Sequence, residues 1–229
     1  NVGVGFASLS DNTEGWENVG VGWGALNRNT TGSYNVGVGS LALVSNTTGA
    51  RNIGVGYNTL NLNTSGFNNV GIGAYSLVAN TTGSNNIAVG DSSLYNNTTG
   101  IRNVGIGVSA LERNTYGFNN TALGGFAMYL TTSGYYNLGL GTFSLYSNTT
   151  GIGNVATGHS ALSNIIAGNY NTAVGNSAAT NIFSSVNNVT CIGNNAGYAT
   201  TISNHINIGN GSVTWIGGQT NWGTYSDAR

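Results

Sequence analysis

The chain has no Pro, a single Cys, and charge on only 5% of its residues. Each shortage excludes something. Without Pro, and with its 38 Gly not placed at every third position, the chain is not a collagen triple helix. A disordered chain would carry more charge and Pro and fewer apolar residues than the 39% found here. One cysteine, Cys191, forms no intrachain disulfide and does not report a redox compartment. The five basic residues are all Arg, scattered at 28, 51, 102, 113 and 229. With a net charge of −1 they make no basic face for nucleic acid or anionic lipid. No apolar run approaches the roughly 18–20 residues of a helical membrane span.

Catalytic groups are equally sparse. His159 and His205 fall at unrelated places, and the acids show no paired spacing beyond Asp11, Glu14 and Glu17, which read as a solvated face. Metal-ligand spacing is absent. Gly20-Val21-Gly22-Trp23-Gly24 mimics a nucleotide loop, but similar stretches recur throughout and open no helix. The chain is therefore expected not to be an enzyme and to bind no cofactor.

What the sequence does contain is a repeat. Asn recurs every seventeen residues, at 1, 18, 35, 52, 69, 86, 103, 120, 137, 154, 171 and 188. Numbering each repeat from that Asn, position 5 is Gly from Gly5 through Gly175, and position 15 is Gly from Gly15 through Gly168. Position 9 is Leu except at Met128 and Ala179 in the first eleven repeats. Gly density and β-branched residues disfavour helix. The pattern predicts an all-β, parallel β-solenoid of about thirteen seventeen-residue coils, each with two short strands and two corners.

Alternation assigns positions 2 and 4, such as Val36 and Val38, to the core, with Gly37 and Gly39 on the opposite face. A second strand is expected over positions 7–10, anchored by Leu26, Leu43, Leu60 and their equivalents. The Asn-Thr-Thr-Gly segment is expected to turn the corner, with its Gly supplying positive φ. Asn18, Asn35 and Asn52 either adopt a left-handed corner conformation or ladder through their amides. Three anchors at about 1.5–3 kcal/mol each do not offset about 1–2 kcal/mol of backbone entropy per residue, so no coil folds alone. The stripe of Gly at positions 3 and 5 (Gly37 beside Gly22, Gly39 and Gly56), with Ala at some position-3 sites, is read as a smooth seam for packing identical chains, most simply as a homotrimer. The competing reading is that Gly merely permits a tight corner.

Positions 6, 7, 10, 11, 16 and 17 vary freely and carry most of the aromatics. Trp16, Trp23, Tyr57, Phe67 and Tyr75 are candidate surface contacts for a host-surface glycan or protein receptor, with packing between subunits or over corners as the alternative. Asn29, Asn46, Asn63, Asn80, Asn97 and Asn148 match the glycosylation pattern, which follows automatically from an Asn-Thr-Thr turn.

The chain divides into regular repeats over 1–187, degenerate coils over 188–209, and a cap or junction over 210–229. Asn1 falls in phase with the repeat, which suggests a fragment or a processed product. The repeat resembles the N-[TV]-A-x-G-x-x-A-L-x-x-N-T-T-G repeats of phage tail fibres. It is also similar to the shorter-period heads of trimeric autotransporter adhesins. The resemblance covers about residues 1–209 and implies parallel, left-handed, trimeric β-rolls at an extracellular or virion surface. Tyr225-Ser226-Asp227-Ala228-Arg229 resembles the start of the S-D-x-R-x-K motif of endosialidase-type intramolecular chaperones. That likeness implies Ser226 as a self-cleavage nucleophile, with the motif's Lys two residues past Arg229, so these residues alone would be inert. The functional expectation is a fibre shaft supporting attachment. A bacterial surface adhesin, a self-assembling extracellular filament and an ice-binding solenoid are the alternatives.

Overall fold

A computed structural model describes residues 1–182, 185–197 and 202–212. Thirteen strands form one parallel sheet in strict sequential order, one strand per coil. Strands β1 (Val2–Val4) through β11 (Thr172–Val174) are three residues long, and β12 (Val189–Ile192) and β13 (His205–Ile208) are four. Register is exact over the regular part: Val19 pairs with Val36, Gly20 with Gly37 and Val21 with Val38. The chain is an all-β parallel solenoid. At about 4.8 Å per coil its axis is roughly 60 Å long.

The expected second strand is not there. Positions 7–10 form a chain of tight turns, because the residues at 7 and 9 take left-handed backbone conformations. Leu26, Leu43 and Leu60 have φ of 53°, 54° and 51°. Left-handed L-residues cost roughly 1–2 kcal/mol each, so something must offset them. Each such residue bonds a neighbouring coil: Leu26 N–H donates to Ala42 O (3.0 Å), and Leu41 N–H to Trp23 O (2.8 Å). Stacking, which a strand would satisfy by itself, is achieved here by turns.

Inside and outside are also reversed relative to the alternation. Position 3 points inward and positions 2 and 4 point outward, so Gly37 and Gly54 are buried while Ile53 and Val55 are 40% and 37% exposed. The interior is too narrow for two large residues. Leu26 fills it, and its Cγ would lie 3.3 Å from a Cβ added to Gly37. The core is thus a column of Leu from Leu26 to Leu162, interrupted only by Met128, flanked by small residues at positions 3 and 8.

Gly22, Gly39 and Gly56 are required to be Gly within a single chain. They have φ of 133°, 132° and 137°, and a Cβ on Gly56 would sit 2.6 Å from Gly73 O in the next coil. Their role is coil-on-coil stacking within one chain. Gly32 and its equivalents at position 15 are not in the positive-φ set. They are Gly because the space is taken: a Cβ on Gly32 would meet Asn29 Oδ1 at 2.6 Å.

The phase assigned to Asn188 shifts by one. Ala173 pairs with Cys191, which places Val189 at position 1 and Asn188 at the left-handed corner before it (φ 54°). Cys191 then pairs with Asn207, and this shorter coil restores the phase. Residues 213–229, including Ser226 and Asp227, lie outside the described residues.

Candidate functional site

Two internal amide ladders hold the coils together. In the first, Asn35 N–H donates to Asn18 Oδ1 at 2.9 Å, and Asn52 N–H to Asn35 Oδ1 at 3.0 Å. The Asn18 and Asn35 amide nitrogens donate within their own coils to Gly32 O and Gly49 O, both at 2.8 Å. Position 1 is absent from the left-handed residues, so its Asn acts through the ladder. The run ends where Val189 N–H takes the last acceptor, Asn171 Oδ1, at 3.0 Å.

The second ladder runs through position 12. Asn29 Nδ2 donates to Asn12 Oδ1 and Asn46 Nδ2 to Asn29 Oδ1, both at 2.7 Å. The same amide groups reach the position-15 carbonyl, so Gly32 O accepts from both Asn18 and Asn29. These position-12 residues include the glycosylation-pattern Asn. Asn29, Asn46, Asn63, Asn80, Asn97 and Asn148 are all fully buried, so the folded rod offers none of them for modification. A glycan added before folding would break the ladder.

The second ladder has a fault. Thr131 replaces Asn at position 12 of the eighth coil and Ile165 does so in the tenth. Asn114 Oδ1, Thr131 Oγ1 and Asn148 Oδ1 are buried without a hydrogen-bond partner. Thr is too short to reach across, and Ile has no donor for Asn148. Outside this ladder, the position-13 Thr hydroxyls donate to the next coil, as Thr30 Oγ1 does to Thr47 O at 3.1 Å.

Among the aromatics singled out in the sequence, the structure makes two groups. Trp16 and Phe67 lie at the corner before the strand, and Trp23, Tyr57 and Tyr75 at the corner after it. Trp16 packs edge-on to Tyr34 (4.5 Å between ring centroids) and Tyr57 to Tyr75 (5.3 Å). A denser cluster escaped sequence reasoning. Phe126 stacks on Phe143 at 5.5 Å and Tyr129 on Tyr146 at 5.3 Å, and His159 meets Phe143 edge-on. Arg113 lies over the Tyr129 ring at 5.4 Å, and Tyr129 O–H donates to Glu112 Oε1 at 3.3 Å. The signal was aromatics at positions 7 and 10 of two successive coils.

Among the described residues no group of three or more His, Cys, Asp or Glu could hold a metal ion. Cys191 is buried, which pushes its thiol pKa up and keeps the sulfur protonated, although a hydrogen bond from Asn207 works the other way.

The remaining feature is the outward face of the sheet. Positions 2 and 4 form two parallel columns over thirteen strands, 26 side chains, of which 22 are Val, Ile or Leu and four are Thr. None is charged. Exposure along them is 42% at Ile72, 45% at Leu123 and 44% at Ile192, and higher at the ends, as at Ile206 (70%). Comparison with family models, curated proteins and solved structures finds no match to this chain.

Proposed function

We propose that the chain is a shaft segment of an extracellular or virion appendage, a tail-fibre-like rod that holds an attachment tip away from its base. The observation that carries the reading is the unbroken coil-to-coil register from Val2 to Val174, reinforced by two amide ladders. Repeated backbone and side-chain bonds at every coil resist bending, and each added coil lengthens the rod by a fixed step. Uncharged polar turns keep it in solution. The function so proposed is mechanical.

One observation favours a second reading, a lateral adhesin. The Phe126, Tyr129, Phe143 and Tyr146 cluster, with Arg113, Glu112 and His159 beside it, combines apolar surface with polar groups as ligand sites do. Its rings stack on one another along the rod, however, and so cover each other's faces. An ice-binding role is disfavoured because the position-13 hydroxyls are engaged within the protein.

Excising two whole coils, residues 69–102, tests the shaft reading. A shaft should refold and shorten by about 10 Å in solution scattering, and the isolated chain should show no saturable binding to cells or glycan arrays. Saturable binding lost on substituting Phe126 and Phe143 would establish the adhesin reading instead.

A further inference from the structure

The chain is rich in Asn, and the coil shields its ladder Asn from the chemistry that makes this residue labile. That chemistry is attack by the backbone nitrogen of the next residue on the side-chain Cγ. It needs an exposed amide, a following N–H that is not held in a hydrogen bond, and a following residue small enough to let the two atoms meet. The ladder residues fail on every count. Asn35 and Asn46 are fully buried, and both are followed by β-branched residues. Val36 N–H donates to Asn52 O at 2.8 Å, and Thr47 N–H to Thr64 O at 3.0 Å. Exposed asparagines are held in the same way. After Asn176, Ser177 N–H donates to His159 O at 2.8 Å, and after Asn195, Ala196 N–H donates to Gly193 O at 3.2 Å.

Asn210 stands apart. It is exposed, lies two residues past the end of β13, and is the one Asn in the chain followed by Gly. A Cβ added to Gly211 would meet nothing within 4 Å, and among the described residues none accepts a hydrogen bond from its N–H. Gly also has the backbone freedom to bring its nitrogen over the preceding side chain. Ser212 N–H donates to Asn210 Oδ1 at 2.9 Å. That bond draws electrons from Cγ and stabilises the negative charge that develops on the oxygen during attack.

We infer that Asn210-Gly211 is a self-modification site, at which Asn210 converts to aspartate and isoaspartate with water as the only co-reactant. Gly211 N gives its proton to hydroxide and bonds to Asn210 Cγ. The Cγ–Nδ2 bond breaks, and ammonia leaves with a proton taken from water. The cyclic imide then adds one water. Opening at Cγ leaves aspartate, whereas opening at the backbone carbonyl leaves isoaspartate, whose chain runs through the former side chain with one extra backbone carbon. Either product adds one negative charge to a chain of formal net charge −1, in a stretch, 188–212, that has no acidic residue. The change runs one way and marks the age of the rod where its last strand ends. It goes beyond the shaft reading and holds whatever the rod carries.

Peptide mapping by mass spectrometry of the full chain aged at 37 °C, alongside isoelectric focusing, is the test. Asn210 should be the first site converted, roughly tenfold or more faster at pH 8 than at pH 6, because the attacking nitrogen must lose its proton. The focused band should move toward acid by one charge. Gly211 is outside the left-handed region, so Gly211→Ala should fold as the wild type does and slow conversion roughly tenfold or more. Asn210→Gln, which would have to close a larger ring, should lose the acidic band. A wild type that stays unconverted, conversion of a ladder Asn or of Asn176 ahead of Asn210, or Gly211→Ala converting at the wild-type rate would each overturn the proposal. Chain scission after residue 210 in place of the charge gain would overturn it as well.

Discussion

At the scale of single residues, the coil is built around a leucine in a conformation leucine rarely adopts. Leu77, at φ 51° and fully buried, sits in the left-handed region because its N–H must reach Ser93 O in the next coil. The two glycines of each strand answer different needs. Gly54 gives Leu43 room, and a Cβ there would make ordinary contacts at 3.4 Å and beyond. Gly56 combines φ of 137° with a backbone carbonyl 2.6 Å from any added Cβ. Gly54→Ala should therefore change stability by less than about 1 kcal/mol, as native Ala88 and Ala122 at the same position suggest. Gly56→Ala should cost about 3 kcal/mol or more in denaturant unfolding, adding strain to a backbone clash. Equal effects would contradict these roles. That position 5 is invariantly Gly was plain in the sequence. Which side of Val-Gly-Val faces inward was not, because alternation fixes parity but leaves both faces available. A narrow solenoid chooses the small side for its interior, against the usual preference for burying valine.

At the scale of the coil, the repeat's letters divide into ladders and turns. The position-1 ladder was foreseen as one of two uses of that Asn, and the hydrogen bonds from Asn18 through Asn171 show which use it has. The position-12 ladder was not foreseen, since Asn before Thr-Thr-Gly reads equally well as an exposed turn residue. Its fault at Thr131 offers a direct test. Thr131→Asn places a donor opposite Asn114 Oδ1 and an acceptor opposite Asn148, and should stabilise the chain by about 1 kcal/mol or more. Asn80→Ala, in the unbroken stretch, strands Asn63 Oδ1 and should destabilise by about 2–4 kcal/mol. Thermal unfolding of both variants checks the pair, and a neutral or destabilising Thr131→Asn would remove the ladder account of that site. The twelfth coil shows why its phase was misread. Cys191 stands where Gly or Ala usually does and Gly197 where Leu does, so the same interior space is filled from the other side. A one-residue insertion beforehand left Asn188 in apparent phase by coincidence.

At the scale of the whole molecule, the coils form a rod whose interior is occupied by ladders and leucine and whose outer sheet face is aliphatic. A solenoid with a seventeen-residue period was legible from the spacing of Asn and Gly alone. The outward aliphatic face was not, because it follows from the inward-outward choice that alternation leaves open. Stacking itself is the central claim, and it is measured most directly as a distance along the axis. Spin labels at Thr48→Cys and Thr150→Cys, in a Cys191→Ser background, lie on the same turn position six coils apart. In labelled chain diluted with unlabelled chain, electron double resonance should give one narrow distance near 29 Å. A broad distribution, or a distance below about 20 Å, would contradict one coil per seventeen residues stacked in register.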